Sequence, residues 1–135
     1  MPLTNMEHML VLTDDVDATR DWYREVLGLQ EGRRPPLEFP GYWLYLSGAP
    51  CIHVADRDAY TAHARTLGLA ASPRAEGTGA VDHVAFNGSG YDEIAARLER
   101  NGVEAVLNVV PGVGLRQLFV NDPNGVRIEI NVPPE

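Results

Sequence analysis

Three of the four histidines and one glutamate occupy positions that repeat along the chain. His8 and His83 lie 75 residues apart (8 to 83), and at that offset the stretch from His8 to Asp17 overlays that from His83 to Asp92 without a gap. His53 follows His8 by 45 residues (8 to 53), and Glu129 follows His83 by 46 (83 to 129). Three imidazoles and a carboxylate at repeat-related places suit a divalent metal such as Zn, Ni, Co, Mn or Fe. Calcium, which needs an oxygen cage, and structural zinc, which favours thiolates, fit poorly. A lone strand histidine is ordinarily a hydrogen-bonded core or surface residue, so it is the joint pattern that points to ligation. Glu129 stands between Ile128 and Ile130 in an apolar stretch, where a buried carboxylate needs a partner and a metal would supply one. His63 falls outside the pattern and reads as structural or exposed. The acids Asp14, Asp15 and Asp17 read as helix N-terminal residues rather than a site. Cys51, the only cysteine, reads as a packed strand residue that has no disulfide partner.

The repeat also orders the elements that must position these groups. After His8, the residues Val16, Thr19, Tyr23 and Val26 have helical spacing, with Asp14 or Asp15 as N-cap and Gly28 at the C-terminus. Ile94, Leu98 and the Asn101-Gly102 stop play the same parts in the second copy. Three strands are expected after each helix. In the first copy they are residues 30–34, 42–46 and 51–55, the last two joined by a Ser47-Gly48-Ala49-Pro50 turn. In the second they are 105–110, 115–120 and 126–132, punctuated by Pro111-Gly112 and Asp122-Pro123-Asn124-Gly125. The expected fold class is α+β: two paired βαβββ modules (5–55 and 80–132) in a single domain spanning 1–135. An Ala-, Gly- and Pro-rich linker at 56–79, with a short helix over 58–67, joins them. One module leaves a sheet face wet, so each needs a partner, within the chain or across a homodimer. The pairing would give a curved eight-stranded mixed sheet around a metal-binding cavity. If the turns close as written, Leu44 opposes His53 and Leu118 opposes Glu129. Tyr42 and Arg116 would then share the cavity face and bind substrate, whereas a one-residue bulge would turn both outward.

Composition narrows the partners. The 135 residues carry 11 basic and 19 acidic groups for a net charge of −8, and 44% are hydrophobic, which suits a packed globular core. Every basic residue is arginine, scattered over a net acidic chain, so nucleic acid is excluded as a partner. No apolar run reaches membrane-spanning length, and residues 1–5 have no signal-peptide pattern. The chain is expected in the cytoplasm, acting on a small molecule.

Three segments resemble a known family: His8 with Asp15-Val-Asp-Ala-Thr-Arg-Asp-Trp-Tyr-Arg-Glu-Val-Leu-Gly28, the restart Val81-Asp-His-Val-Ala-Phe86, and Phe119-Val-Asn-Asp-Pro-Asn-Gly-Val-Arg-Ile-Glu-Ile130. They look like the vicinal oxygen chelate superfamily of glyoxalases, bleomycin-resistance proteins and extradiol dioxygenases. The resemblance spans nearly the whole chain and implies paired βαβββ modules, commonly dimeric, with one divalent metal. It places His8, His83 and Glu129 on the two histidines and the glutamate shared by metal-dependent members. His53 falls where glyoxalase I enzymes carry Glu or Gln, which leaves Glu129 as the one carboxylate at the matched positions.

What the resemblance implies first is a glyoxalase-like lyase or isomerase. It would act on a small α-oxo or vicinal-oxygen substrate through an enediolate-type intermediate, with Glu129 as catalytic base. A second possibility is an extradiol-type Fe(II) or Mn(II) dioxygenase using His8, His83 and Glu129, although His53 as a fourth ligand would occupy a position that oxygen or catechol needs. A third is a metal-free drug-binding protein, for which Trp22, Trp43 and five tyrosines supply aromatic material. Trp22, at helical spacing from Val26, reads as core packing.

Overall fold

The computed structural model describes residues 5–70 and 78–135, so positions 1–4 and the linker portion 71–77 lie outside the described residues. The chain divides into two compact units, Met1–Ala75 and Glu76–Glu135. The first unit contains β1 (Met9–Thr13), α1 (Val16–Glu25), β2 (Gln30–Gly32), β3 (Gly41–Leu46), β4 (Ala49–Asp56) and α2 (Arg57–Thr66). The second contains β5 (Val84–Asn87), α3 (Tyr91–Arg100), β6 (Val106–Val109), β7 (Arg116–Asn121) and β8 (Arg127–Val132). Each unit holds its own four-stranded mixed sheet, ordered β1-β4-β3-β2 and β5-β8-β7-β6. The expected α+β class and the twice-written βαβββ order are therefore present, as two four-stranded sheets.

Burial of one face of each sheet explains the order. Val11, Leu44, Ile52 and Val54 are buried with Tyr23 of α1, and Thr19 donates to Thr13 at 3.0 Å beneath that helix. Asp15 is the N-cap, its carboxylate accepting from Ala18 N at 2.9 Å. In the second unit Leu118, Val120, Ile128, Ile130 and Val132 are buried along with Leu98 of α3. Gly88 lets that helix come close, since a Cβ there would lie 2.8 Å from Ile94 Cδ1 and 3.2 Å from Ile130 Cγ2. Within the expected linker, the short helix anticipated over 58–67 is α2 of the first unit: Arg57, at its start, donates to Leu12 O at 3.1 Å and pairs with Asp14 at 3.2 Å.

Both hairpins close one residue away from the expected register. Ser47 and Gly48 both have positive φ (51° and 80°), so the β3–β4 turn is a two-residue loop of the primed type. Leu46 faces Ala49, the register shifts between Leu44 and Leu46, and Trp43 rather than Leu44 opposes His53. In the second unit Asp122 N donates to Val126 O at 2.9 Å, which leaves a three-residue loop of Pro123, Asn124 and Gly125, the last at φ 78°. With the loop closed over those three residues, Phe119 rather than Leu118 opposes Glu129.

Candidate metal-binding half-sites

The register decides which side chains share a face. In the first unit His53, on β4, is buried and pairs with Leu10 of β1 and Trp43 of β3. Its ring is sandwiched between Trp43, at 4.1 Å between centroids and 11° between planes, and His8, at 3.7 Å and 10°. His8 stands one residue before β1, and its Nδ1 lies 2.9 Å from Glu7 Oε1. A carboxylate only accepts, so Nδ1 carries the proton and the neutral ring keeps its lone pair on Nε2, the arrangement in which imidazoles bind metals. Burial, then the charge of His8, lowers the His53 pKa from the ordinary value near 6.5, with Arg34 adding in the same direction. His53 Nε2 is buried and has no hydrogen-bond partner among the described residues.

The second unit repeats the device. His83 stands one residue before β5, with Nδ1 2.8 Å from Asp82 Oδ2, and Arg127 Nη1 holds that carboxylate at 3.2 and 3.3 Å. The hydrogen bond from His83, then the charge of Arg127, lowers the Asp82 pKa. His83 Nε2 lies 3.8 Å from Glu129 Oε1, too far to hydrogen-bond. Glu129, 12% exposed, accepts from Asn131 Nδ2 at 2.9 Å and from Gln117 Nε2 at 3.4 Å. Gln117 also donates to Asn131 Oδ1 at 3.1 Å and accepts from Asn108 Nδ2 at 2.8 Å. This amide ladder fixes the orientation of the carboxylate. Beside it, Val106, Phe119, Val120, Asn121 and Arg127 line a cleft of about 390 Å³.

Each unit thus brings together one pair, His8 with His53 and His83 with Glu129. Among the described residues no three His, Cys, Asp or Glu side chains are gathered as a metal cluster. The donor chemistry nonetheless suits a divalent metal: three imidazoles held neutral or oriented through Nδ1, one fixed carboxylate, and a buried ring nitrogen lacking any other partner.

The register-based placement of Tyr42 and Arg116 is corrected. The Tyr42 hydroxyl donates to Asp17 of α1, and Arg20 lies 4.4 Å over its ring. Arg116 lies 4.0 Å over the ring of Tyr91, at the start of α3. Both side chains pack against the helices because each strand pairing closes one residue away from the register its letters suggest. Trp43, Phe119, Gln117 and Asn131 take the places on the histidine and glutamate faces that the sequence reading missed. The Glu7-His8 and Asp82-His83 dipeptides were a readable signal that the reading also passed over. His63 packs on Phe39 with ring centroids 5.3 Å apart, and burial raises the Cys51 pKa, as suits an inert packed thiol. No helix among the described residues is long and apolar enough to cross a membrane.

Comparison with known proteins agrees with the fold. The chain is 30% identical over 131 residues to glyoxylase I 4 from Arabidopsis thaliana, covering 95% of this chain and 70% of that relative. Among solved structures, a lactoylglutathione lyase from Agrobacterium tumefaciens superposes with a TM-score of 0.72 at 20% identity, covering 98% of this chain and 96% of that one. A fosfomycin resistance protein from Listeria monocytogenes, crystallised with Mn(II) and 1S,2S-dihydroxypropylphosphonic acid, superposes at 0.70 and 16% identity, covering 98% and 94%. An antibiotic binding protein from a Streptomyces species superposes at 0.68 and 20% identity, covering 99% of each chain. The family model of the Glyoxalase/Bleomycin resistance protein/Dioxygenase superfamily matches residues 5–130, and the chain belongs to that superfamily.

Proposed function

We propose that the chain is a divalent-metal-dependent, glyoxalase-like lyase or isomerase acting on a small α-oxo or vicinal-oxygen compound. His8, His53, His83 and Glu129 would hold the metal (Zn, Ni, Co, Mn or Fe). The two modules, 5–55 and 80–132, would pair within the chain or across a homodimer to bring the four groups together. The observation that carries this reading is the repeated half-site: an imidazole oriented by the preceding acid, beside a second donor on the last strand. The relatives named as a glyoxylase and a lyase support the same class of reaction.

When bound, a divalent cation supplies Lewis acidity to two adjacent substrate oxygens, worth several kcal/mol of charge stabilisation. The chain's own residues do the rest. Glu129 takes the proton from the carbon beside the carbonyl and returns it to the neighbouring atom. Asn131 and Gln117 hold its carboxylate in one orientation while it does so. Trp43 and Phe119 give the donor faces apolar rings that keep water from the reacting carbon.

The test is conversion of the hemithioacetal of methylglyoxal and glutathione by chelator-treated protein reloaded with Zn, Ni, Co or Mn. Activity should return with metal, and Glu129→Gln should lower turnover by about 10²-fold or more. Full activity in chelator, or none with any metal, contradicts the reading. The parallel stack of Trp43, His53 and His8 favours one second reading, a metal-free protein that holds a planar aromatic ligand against those rings. Tight binding of an aromatic ligand by protein that takes up no metal would select it.

A further inference from the structure

Among the described residues, two buried side-chain polar atoms have no hydrogen-bond partner: His53 Nε2 and Arg34 Nε. A buried polar atom left unsatisfied is costly, so each orphan marks a place that a further group can complete. They belong to the same part of the first unit. Gly32 pairs with Trp43 and Trp43 with His53, so one row of residues crosses the sheet to β2. Arg34 lies two residues beyond Gly32, the last residue of β2, and so continues from the end of that row.

Arg34 is held but not neutralised. Its Nη2 donates to Phe39 O at 2.7 Å, and its guanidinium lies 5.3 Å from the Phe39 ring. That ring is braced by Tyr60 and His63 of α2 at 5.2 and 5.3 Å. No carboxylate among the described residues pairs with Arg34, whereas Arg20, Arg57 and Arg127 each have one. A fixed, partly desolvated guanidinium lacking a counter-charge is built to receive an oxyanion. A cation on His53 would also repel it, and a ligand carrying negative charge to both would remove that repulsion.

We propose that Arg34 is an anion-binding residue of the His8–His53 half-site, and that the ligand taken there carries a carboxylate or phosphate group. This rests on the metal-dependent reading for what lies at His53, and the two are separable by experiment. The full chain, metal-free and Zn-loaded, is titrated calorimetrically with oxalate, inorganic phosphate and the neutral control oxamide. Zinc itself is titrated into wild type and variants. Wild type should bind at least one of the two anions and not oxamide. Arg34→Met, which keeps an apolar stem over Phe39, should weaken that binding at least tenfold, and Arg34→Lys should recover part of it. Zinc affinity of Arg34→Met should equal or exceed that of wild type. Preference for oxalate assigns a carboxylate ligand and preference for phosphate assigns a phosphate. Equal anion binding by Arg34→Met and wild type, or no binding of either anion by wild type, overturns the proposal. If Arg34→Met does not fold, a wild-type level of anion binding by Arg34→Gln overturns it equally. Arg34-dependent phosphate binding in a protein that takes up no zinc would retain this inference while removing the metal reading.

Discussion

At the scale of single residues, the imidazoles are set by what touches Nδ1. Glu7 and Asp82 precede the two entry histidines, so each acid needs only its own short side chain to orient its neighbour. Asp82→Asn should therefore weaken zinc binding about 10- to 100-fold with little change in thermal stability, read by competition with a chelating dye; unchanged affinity would show that Asp82 does not orient His83. His53 gives a second expectation. Its pKa lies below 6.5 in the folded chain, so as pH falls through that value the unfolded chain takes up a proton that the folded chain refuses. Stability is thus fully present above about pH 6.5, is lost on acidification toward the lowered folded value, and then levels off. In chelator-treated protein, NMR titration should find His53 as a neutral ring at a pH where a free histidine is already charged. The candidate ligands were legible because chemistry restricts them to a few residue types at matched places. Trp43, Gln117 and Asn131 were not, since nothing in their letters distinguishes them from ordinary strand residues until the register is known.

At the scale of elements, the repeat made most of the architecture readable. Helical spacing of Val16, Thr19, Tyr23 and Val26, and of Ile94 and Leu98 before the Asn101-Gly102 stop, corresponds to α1 and α3, and the later strands of each copy fall within a residue or two of expectation. Turn geometry was not readable to one residue, and one residue is enough to exchange the faces of a strand. The letters Asp122-Pro123-Asn124-Gly125 suit a four-residue turn. Yet the Asp122 carboxylate accepts from Asn124 N and Val126 N, both at 2.8 Å, and draws Val126 into the pairing. Gly125 supplies the left-handed position this requires, so Gly125→Ala should cost about 1–2 kcal/mol, measured by chemical denaturation. An unchanged midpoint would contradict the assigned turn. Tyr42 and Arg116, which an unshifted register would have put beside His53 and Glu129, instead tie their sheets to α1 and α3.

At the scale of the whole molecule, duplication gives each βαβββ unit its own buried core and one pair of candidate donors on the other sheet face. Neither pair suffices for a four-coordinate metal, so such a site needs donors from both modules. Metal held in this way binds only the folded state, and zinc at 100 times its dissociation constant should stabilise the chain by about 2.7 kcal/mol, seen as a rise in melting temperature that chelator reverses. The most direct measurement is the metal content of the protein as isolated, without a histidine tag, compared with His8→Ala and Glu129→Ala, one substitution in each module. Near-stoichiometric divalent metal per set of four donors is expected in the wild type, with marked loss in both variants. Full metal content in either variant would contradict the four-donor site.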